Sequence, residues 1–271
     1  MTDSGVKAGE VKVHFTVDGP SDAPAGSPAV VLSNSLGSTW SMWDAQVPEL
    51  TKRYKVVRYD VRGHGGSPVP QGPYTIDDLA GDVVALMDRL GLEKAHFVGL
   101  SLGGMTGMRL AQANPERVEK LVVLCTAAVL GPAESWHDRA KTVRAEGTAA
   151  VADAVVRRWY TDDFFKRFPE RATAARDTIA ATPAEGYAGC CEAIAAMDLT
   201  AELPRITAPT LAIAGAEDPA TPTPHLRRIA ESVAQGTLLE VPRAAHLAND
   251  EQPEIVNQAI TEFLGSPTST R

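Results

Sequence analysis

Ser101, Asp218 and His246 are the residues of this chain whose types and order fit nucleophilic acyl transfer. Ser101 stands in Gly99-Leu100-Ser101-Leu102-Gly103. The segment before it, Ala95-His96-Phe97-Val98, is short and apolar and reads as a buried strand. The segment after it, Gly104 to Ala113, is rich in Met, Leu and Ala and reads as a helix closed by Asn114-Pro115. A serine on such a turn sits in strained backbone, and flanking glycines keep the turn free of Cβ clashes. The first amides of the helix then favour negative charge beside Oγ. A bare G-x-S-x-G is a common chance match. The strand before and the helix after are what single this serine out.

A serine is inert unless a base takes its proton. The strand–turn–helix setting resembles the nucleophile elbow of α/β-hydrolases, in which the acid and then the histidine follow the serine. Of the six histidines, His14 falls in an alternating strand pattern (Val11, Val13, Phe15, Val17) and His96 in the nucleophile's own strand. His64 belongs to a loop near the serine and His137 to a helical stretch. His225 falls in a helix entered through Pro222 and Pro224 and reads as a surface residue. His246 follows the strand Gly236 to Val241 and precedes the last helix, so it is the expected base. The acid should end the preceding strand, Pro209 to Ala214, whose loop holds both Glu217 and Asp218. Pro219 biases Asp218 towards extended backbone, which suits a side chain reaching across to a histidine and leaves Glu217 to solvent. The other position for an acid, after the strand Lys120 to Cys125, is empty, since Thr126 to Pro132 contains no carboxylate. For the oxyanion, the expected donors are the backbone N–H of Leu102 and that of Leu36, in the loop Asn34-Ser35-Leu36-Gly37 after the strand Ala29 to Ser33. Ser35 either adds a hydroxyl there or is a simple turn residue.

These residues need a scaffold, and the alternation of strands and helices along the chain supplies one. It predicts an α/β fold, a mostly parallel twisted sheet with helices on both faces. Thr75-Ile76-Asp77-Asp78 has the form of a capping box, with Leu79, Val83, Leu86, Met87 and Leu90 at helical spacing behind it and Gly91 at the close. Between Gly131 and Leu203 the strand rhythm stops and Ala- and Arg-rich helical sequence takes over. Residues 1–130 and 204–271 therefore read as the core and 131–203 as a helical cap over the serine. The aromatic run from Trp159 to Phe168 reads as the cap's own small core, and Gly265 to Arg271 as a soft tail.

Composition sets limits. A chain of 271 residues can bury one large core, and its formal charge of −8 argues against nucleic acid or anionic membrane as a partner. The longest apolar stretch, Leu121 to Leu130, is too short to span a bilayer, and Met1 to Gly5 has no signal-peptide character. Three cysteines, two of them adjacent (Cys190, Cys191), make no disulfide framework. No metal-ligand spacing or dinucleotide glycine motif is present. The expectation is a cytoplasmic protein without a cofactor; a homo-oligomer stays open.

Over nearly its full length the chain resembles the α/β-hydrolase superfamily, and more narrowly the 3-oxoadipate enol-lactonases of aromatic-compound catabolism. The narrower likeness lies in Asn34 to Gly37, Arg58-Tyr59-Asp60-Val61-Arg62-Gly63-His64-Gly65-Gly66-Ser67, Gly72 to Ile76 and Gly99 to Gly104. Thr182-Pro183 and Glu185-Gly186-Tyr187-Ala188-Gly189-Cys190-Cys191 in the cap discriminate best. The chain departs from the commonest pattern at Asn34-Ser35, where many relatives carry His-Gly, and mildly at Leu102 and Arg109. The resemblance implies hydrolysis of an enol-lactone to 3-oxoadipate through an acyl-enzyme on Ser101, with His246 as base and Asp218 as its partner. It also implies a small lactone bearing a free carboxylate, which needs a cationic or strongly donating group in the pocket. Trp136 and Arg139 are three apart on one helix face, and could hold the ring and the carboxylate, the latter on Arg139 or on the Trp136 Nε1–H. Arg139 reads equally well as a solvated residue. The competing functions are a broad carboxylesterase or cofactor-free perhydrolase of the same fold, and a non-catalytic ligand-binding protein. A haloalkane dehalogenase is disfavoured, because that chemistry needs a carboxylate at position 101.

Overall fold

The computed structural model describes residues 7–19 and 28–267. Met1 to Gly5, and Thr268 to Arg271 of the expected tail, lie outside the described residues. Seven described strands form one sheet: β1 (Phe15–Asp18), β2 (Ala29–Ser33), β3 (Lys55–Tyr59), β4 (Ala95–Leu100), β5 (Val118–Leu124), β6 (Thr210–Gly215) and β7 (Gly236–Val241). Their order is β1-β3-β2-β4-β5-β6-β7, with β1 antiparallel to β3 and every other neighbour parallel. The expected α/β architecture is therefore the one present. Each residue of β2, β4 and β6 is buried, as continuous apolar runs covered on both faces must be. Parallel neighbours need long crossovers, and helices supply them. Helix Ile76–Arg89 leads into β4 and starts at the predicted capping box, with Thr75 Oγ1 accepting from Asp78 N and Asp78 returning the bond.

Several strand bounds shift by one or two residues from the sequence expectation, β4 to Ala95–Leu100, β5 to Val118–Leu124 and β6 to Thr210–Gly215, and two further differences bear on the site. The alternating pattern from Val11 gives a strand only from Phe15 onwards, because β1 pairs with β3 alone and that ladder ends at Phe15 opposite Tyr59. His14 lies just outside, its N–H donating to Ser67 Oγ at 2.8 Å and its ring stacked on Trp40. The helix after the elbow begins at Leu102 rather than Gly104. Gly103 and Gly104 are poor helix formers, but tertiary packing overrides that preference: a Cβ on Gly103 would lie 2.1 Å from Ser33 O.

Between β5 and β6 lie five α-helices, Ala133–Glu146, Ala149–Trp159, Asp162–Arg167, Pro169–Ala181 and Ala184–Ala196, followed by a 3-10 turn, Thr200–Arg205. The rings of Tyr160, Phe164 and Phe168 pack on one another, with centroids 4.3 and 5.1 Å apart. They form the small aromatic core expected there; Trp159, which begins the run, instead lines the cavity described below. Gly186 of the last helix meets Gly63 backbone to backbone, so closely that a Cβ on either would lie within 2.4 Å of the other's Cα. Beside that contact, Glu185 Oε1 accepts from Gly72 N (2.8 Å) and Gln71 Nε2 (2.9 Å), and Arg144 pairs with Glu185 and Glu192. Among the described residues no helix is long and apolar enough to cross a membrane.

Candidate active site

Ser101 sits between β4 and helix Leu102–Ala113 at φ 55°, ψ −113°, a backbone conformation that costs a non-glycine residue about 1–3 kcal/mol. Its neighbours hold it there. Ser101 N–H donates to Leu124 O (2.9 Å), and Ser101 O accepts from Thr126 Oγ1 (2.7 Å) and Met105 N (3.0 Å). The flanking glycines are needed for space: a Cβ on Gly99 would meet Gly103 O at 2.2 Å.

Asp218 follows β6 and His246 follows β7, adjacent parallel strands whose C-terminal loops emerge side by side. His246 Nδ1 lies 2.8 Å from Asp218 Oδ2, and both side chains are buried. Asp218 also accepts from Thr221 Oγ1 (2.6 Å), Ala220 N (2.7 Å) and Thr221 N (3.1 Å). Burial pushes the Asp218 carboxyl up, but the His246 charge and the hydrogen bonds from His246, Thr221 and Ala220 outweigh it and hold it down at about 2. It is an anion at any working pH, and His246 is thereby fixed with Nδ1 as donor and Nε2 free to take a proton. Glu217, one residue earlier, is exposed.

Ser101 and His246 open into one cavity of about 250 Å³, which Ser35 and Leu36 also line. Among the described residues, neither the Leu36 nor the Leu102 amide has a protein acceptor. Leu102 is fully buried and directly follows Ser101. The Leu36 loop is braced by His64, a residue to which local pattern assigns no role. Gly37, at φ +80°, donates its N–H to His64 Nε2 at 3.0 Å, and His64 Nδ1 donates to Arg62 O at 3.2 Å. Burial pulls the His64 imidazole down to about 4, so it stays neutral and keeps that acceptor available.

The far side of the cavity belongs to the helical insertion: Trp136, Arg139, Arg158, Trp159 and Tyr187 all line it. The Trp136 Nε1–H, offered by the sequence reading as a carboxylate donor, is committed to Leu130 O at 2.8 Å. The Trp136 ring carries the Arg139 guanidinium at 4.5 Å. Arg158, on the next helix, is half-buried and lines the same cavity as Arg139. Burial and the Arg139 charge both lower the Arg158 pKa. Burial raises the Tyr187 phenol while the Arg139 and Arg158 charges oppose that rise. Of the seven arginines from 131 to 203, Arg144, Arg157, Arg167, Arg171 and Arg176 pair with carboxylates. Arg139 and Arg158 have no ion pair among the described residues. The signal for Arg158 was readable, since Val155 and Trp159 are on the buried face and Arg158 lies between them in the helical period.

A parallel sheet with a strained serine after its central strand, an acid after β6 and a histidine after β7 defines a class of hydrolytic enzyme. Residues 28–253 match the family model described as alpha/beta hydrolase fold, and the chain belongs to that family. Within it, the chain is 42% identical to 3-oxoadipate enol-lactonase 2 of Acinetobacter baylyi over 95% of this chain and 94% of the relative. It superposes on the enol-lactonase from Burkholderia xenovorans LB400 with a TM-score of 0.92 at 42% identity, covering 94% of this chain and 97% of that one. A thermophilic esterase from Thermogutta terrifontis, solved with malate bound, gives a TM-score of 0.88 at 31% identity, covering 94% of this chain and 93% of that one.

Proposed function

We propose that this chain is a 3-oxoadipate enol-lactonase, acting through Ser101, His246 and Asp218 beneath a cap formed by residues 131–203. The observation that carries the substrate class is the pair of guanidiniums, Arg139 and Arg158, left without carboxylate partners in the cavity that also holds Ser101 and His246. A lactone with a free carboxylate supplies the missing charge, and a planar guanidinium matches a carboxylate in shape as well as sign.

Ser101 Oγ attacks the lactone carbonyl as His246 Nε2 takes its proton, and Asp218 stabilises the imidazolium. The Leu36 and Leu102 amides receive the oxyanion, where preorganised donors act most strongly. Collapse breaks the ring C–O bond, and His246 returns its proton to the enolate oxygen. The opened chain stays tethered as an acyl-enzyme until water, deprotonated by His246, releases the acid and Ser101. The enol then becomes the ketone, which makes hydrolysis hard to reverse. Ser35 adds a hydroxyl at the oxyanion loop and Trp136 an aromatic wall. The same reading carries with it a cytoplasmic enzyme without a cofactor, and three buried, unpaired cysteines fit a reducing compartment.

The test is steady-state hydrolysis of purified enol-lactone against short neutral p-nitrophenyl esters. An enol-lactonase should show kcat/KM at least about 100-fold higher on the lactone, the scale of two charge-assisted hydrogen bonds. Equal or greater efficiency on the neutral esters would make the chain a general carboxylesterase.

A further inference from the structure

The chain on both sides of His246 is tied to one place in the insertion, the junction between helices Ala149–Trp159 and Asp162–Arg167. Before the histidine, Ala245 N–H donates to Glu251 Oε2. After it, Leu247 N–H donates to Trp159 O at 2.9 Å. Glu251 Oε1 in turn accepts from Thr161 N (2.9 Å) and Thr161 Oγ1 (2.8 Å). Asp250 adds a second tie, accepting from Tyr160 Oη at 2.8 Å and pairing with Arg171. Trp159, Tyr160 and Thr161 are thus each bonded to the segment from Leu247 to Glu251.

We infer that Glu251 is a positioning residue for His246, clamping the peptide unit before the imidazole to the insertion that covers the site. The inference rests on His246 being the base, as proposed above. His246 is held by its side chain through Nδ1, which meets Asp218 Oδ2 at 2.8 Å and Thr221 Oγ1 at 3.4 Å; contacts at one ring nitrogen leave the ring a swing about its own axis, and the backbone on either side must remove it. Glu251 does so from one side, through Ala245, and Trp159 O from the other. A carboxylate is required because both its oxygens accept from N–H or O–H donors. A carboxamide in its place keeps one acceptor and turns an NH₂ towards the remaining donors, so either Ala245 or Thr161 loses its partner. Trp159 directly follows Arg158. The group that would recognise the substrate carboxylate and the base that moves the proton therefore share one frame.

The experiment compares Glu251→Gln with wild type on p-nitrophenyl acetate, a neutral ester that does not call on Arg139 or Arg158, with burst kinetics to isolate acylation of Ser101. Misplacing a reacting group by an ångström costs up to about 100-fold, so the acylation rate should fall roughly 10- to 100-fold. KM and the inhibition constant of adipate, a dicarboxylate probe of the cavity, should stay within about twofold of wild type. Thr161→Val removes one donor to Glu251 and keeps the Thr161 N–H, so only part of the misplacement should follow, and acylation should fall by about threefold to tenfold. Wild-type acylation in folded Glu251→Gln, or an adipate affinity that falls in step with the rate, overturns the inference. Should Glu251→Gln not fold, wild-type acylation in Thr161→Val overturns it instead. His246→Ala, run alongside, separates the two readings. Activity kept in that variant removes the base assignment itself, whereas an inactive His246→Ala beside an unimpaired Glu251→Gln removes only the positioning role.

Discussion

The two walls of the cavity are built on opposite principles. On the sheet side, the polar groups around the nucleophile are already spoken for. Asp218 has four donors, His246 Nδ1 has its carboxylate, and the loop carrying Leu36 is tied through Gly37 to His64. On the insertion side, the Arg139 charge helps to depress the Arg158 pKa, and neither arginine has an ion pair among the described residues. The first wall is organised before any ligand arrives, which is what transition-state stabilisation demands. On the proposed function, the second keeps its charge for the ligand. Variants on the two walls should therefore fail differently, the sheet side in rate on every substrate and the insertion side in selectivity for a charged one.

The largest effect should come from the sheet side. Ser101→Ala should leave a folded protein whose kcat is lower by roughly 10⁴-fold or more on lactone and neutral ester alike. Asp218→Asn should cost about 10⁴-fold in kcat, since the imidazole loses the anion that fixes its tautomer. Glu217→Gln, exposed and one residue away, should stay within about twofold. Purified variants assayed on both substrates decide this. Equal losses at 217 and 218 would move the acid, and more than a few per cent of activity in Ser101→Ala would end the acyl-enzyme mechanism.

The insertion side should respond by substrate. Arg158→Ala and Arg139→Ala should each weaken kcat/KM on the lactone by about 2 kcal/mol, roughly 30-fold, the cost of losing a hydrogen bond between charged groups. On p-nitrophenyl acetate each should stay within about threefold. A parallel loss on both substrates would mean that the arginines support the fold, and the contrast between the walls would disappear.

The contrast also explains what could be read from the sequence. β2 and β7 have the residues expected of them, Ala29–Ser33 and Gly236–Val241, and the elbow stands where its glycines put it, because sheet strands and their turns are written in local pattern. Ser101, Asp218 and His246 follow from chain order and strand ends, which are also local. What could not be read depends on which groups meet across long separations. Trp136 and Arg139 were recognisable as a pair three apart, but Arg158, which lines the same cavity, comes from another helix. The bond from Gly37 to His64 spans 27 residues, and that from Thr161 to Glu251 spans 90. No periodicity reports such meetings. The competing use of the Trp136 Nε1–H by Leu130 O was hidden for a different reason: a backbone carbonyl is a potential acceptor at every position, and only the path of the chain around Gly131 and Pro132 aims this one.

That last bond yields the smallest expected effect and the finest test of the insertion wall. If the indole N–H is spent on Leu130 O, Trp136 serves the ligand only indirectly, by giving the Arg139 guanidinium an aromatic face 4.5 Å away. Trp136→Phe removes the hydrogen bond and keeps an aromatic ring. The lost bond should lower stability by about 1 kcal/mol, readable as a shift of a few degrees in Tm. A phenyl ring holds a cation less well than an indole, by about 0.5–1 kcal/mol, so kcat/KM on the lactone should fall by no more than about fivefold. The neutral ester should be almost unaffected. A loss on the lactone as deep as that of Arg139→Ala would show that the indole N–H leaves Leu130 and bonds the substrate. The insertion wall would then rearrange on binding, rather than wait with two charges already in place.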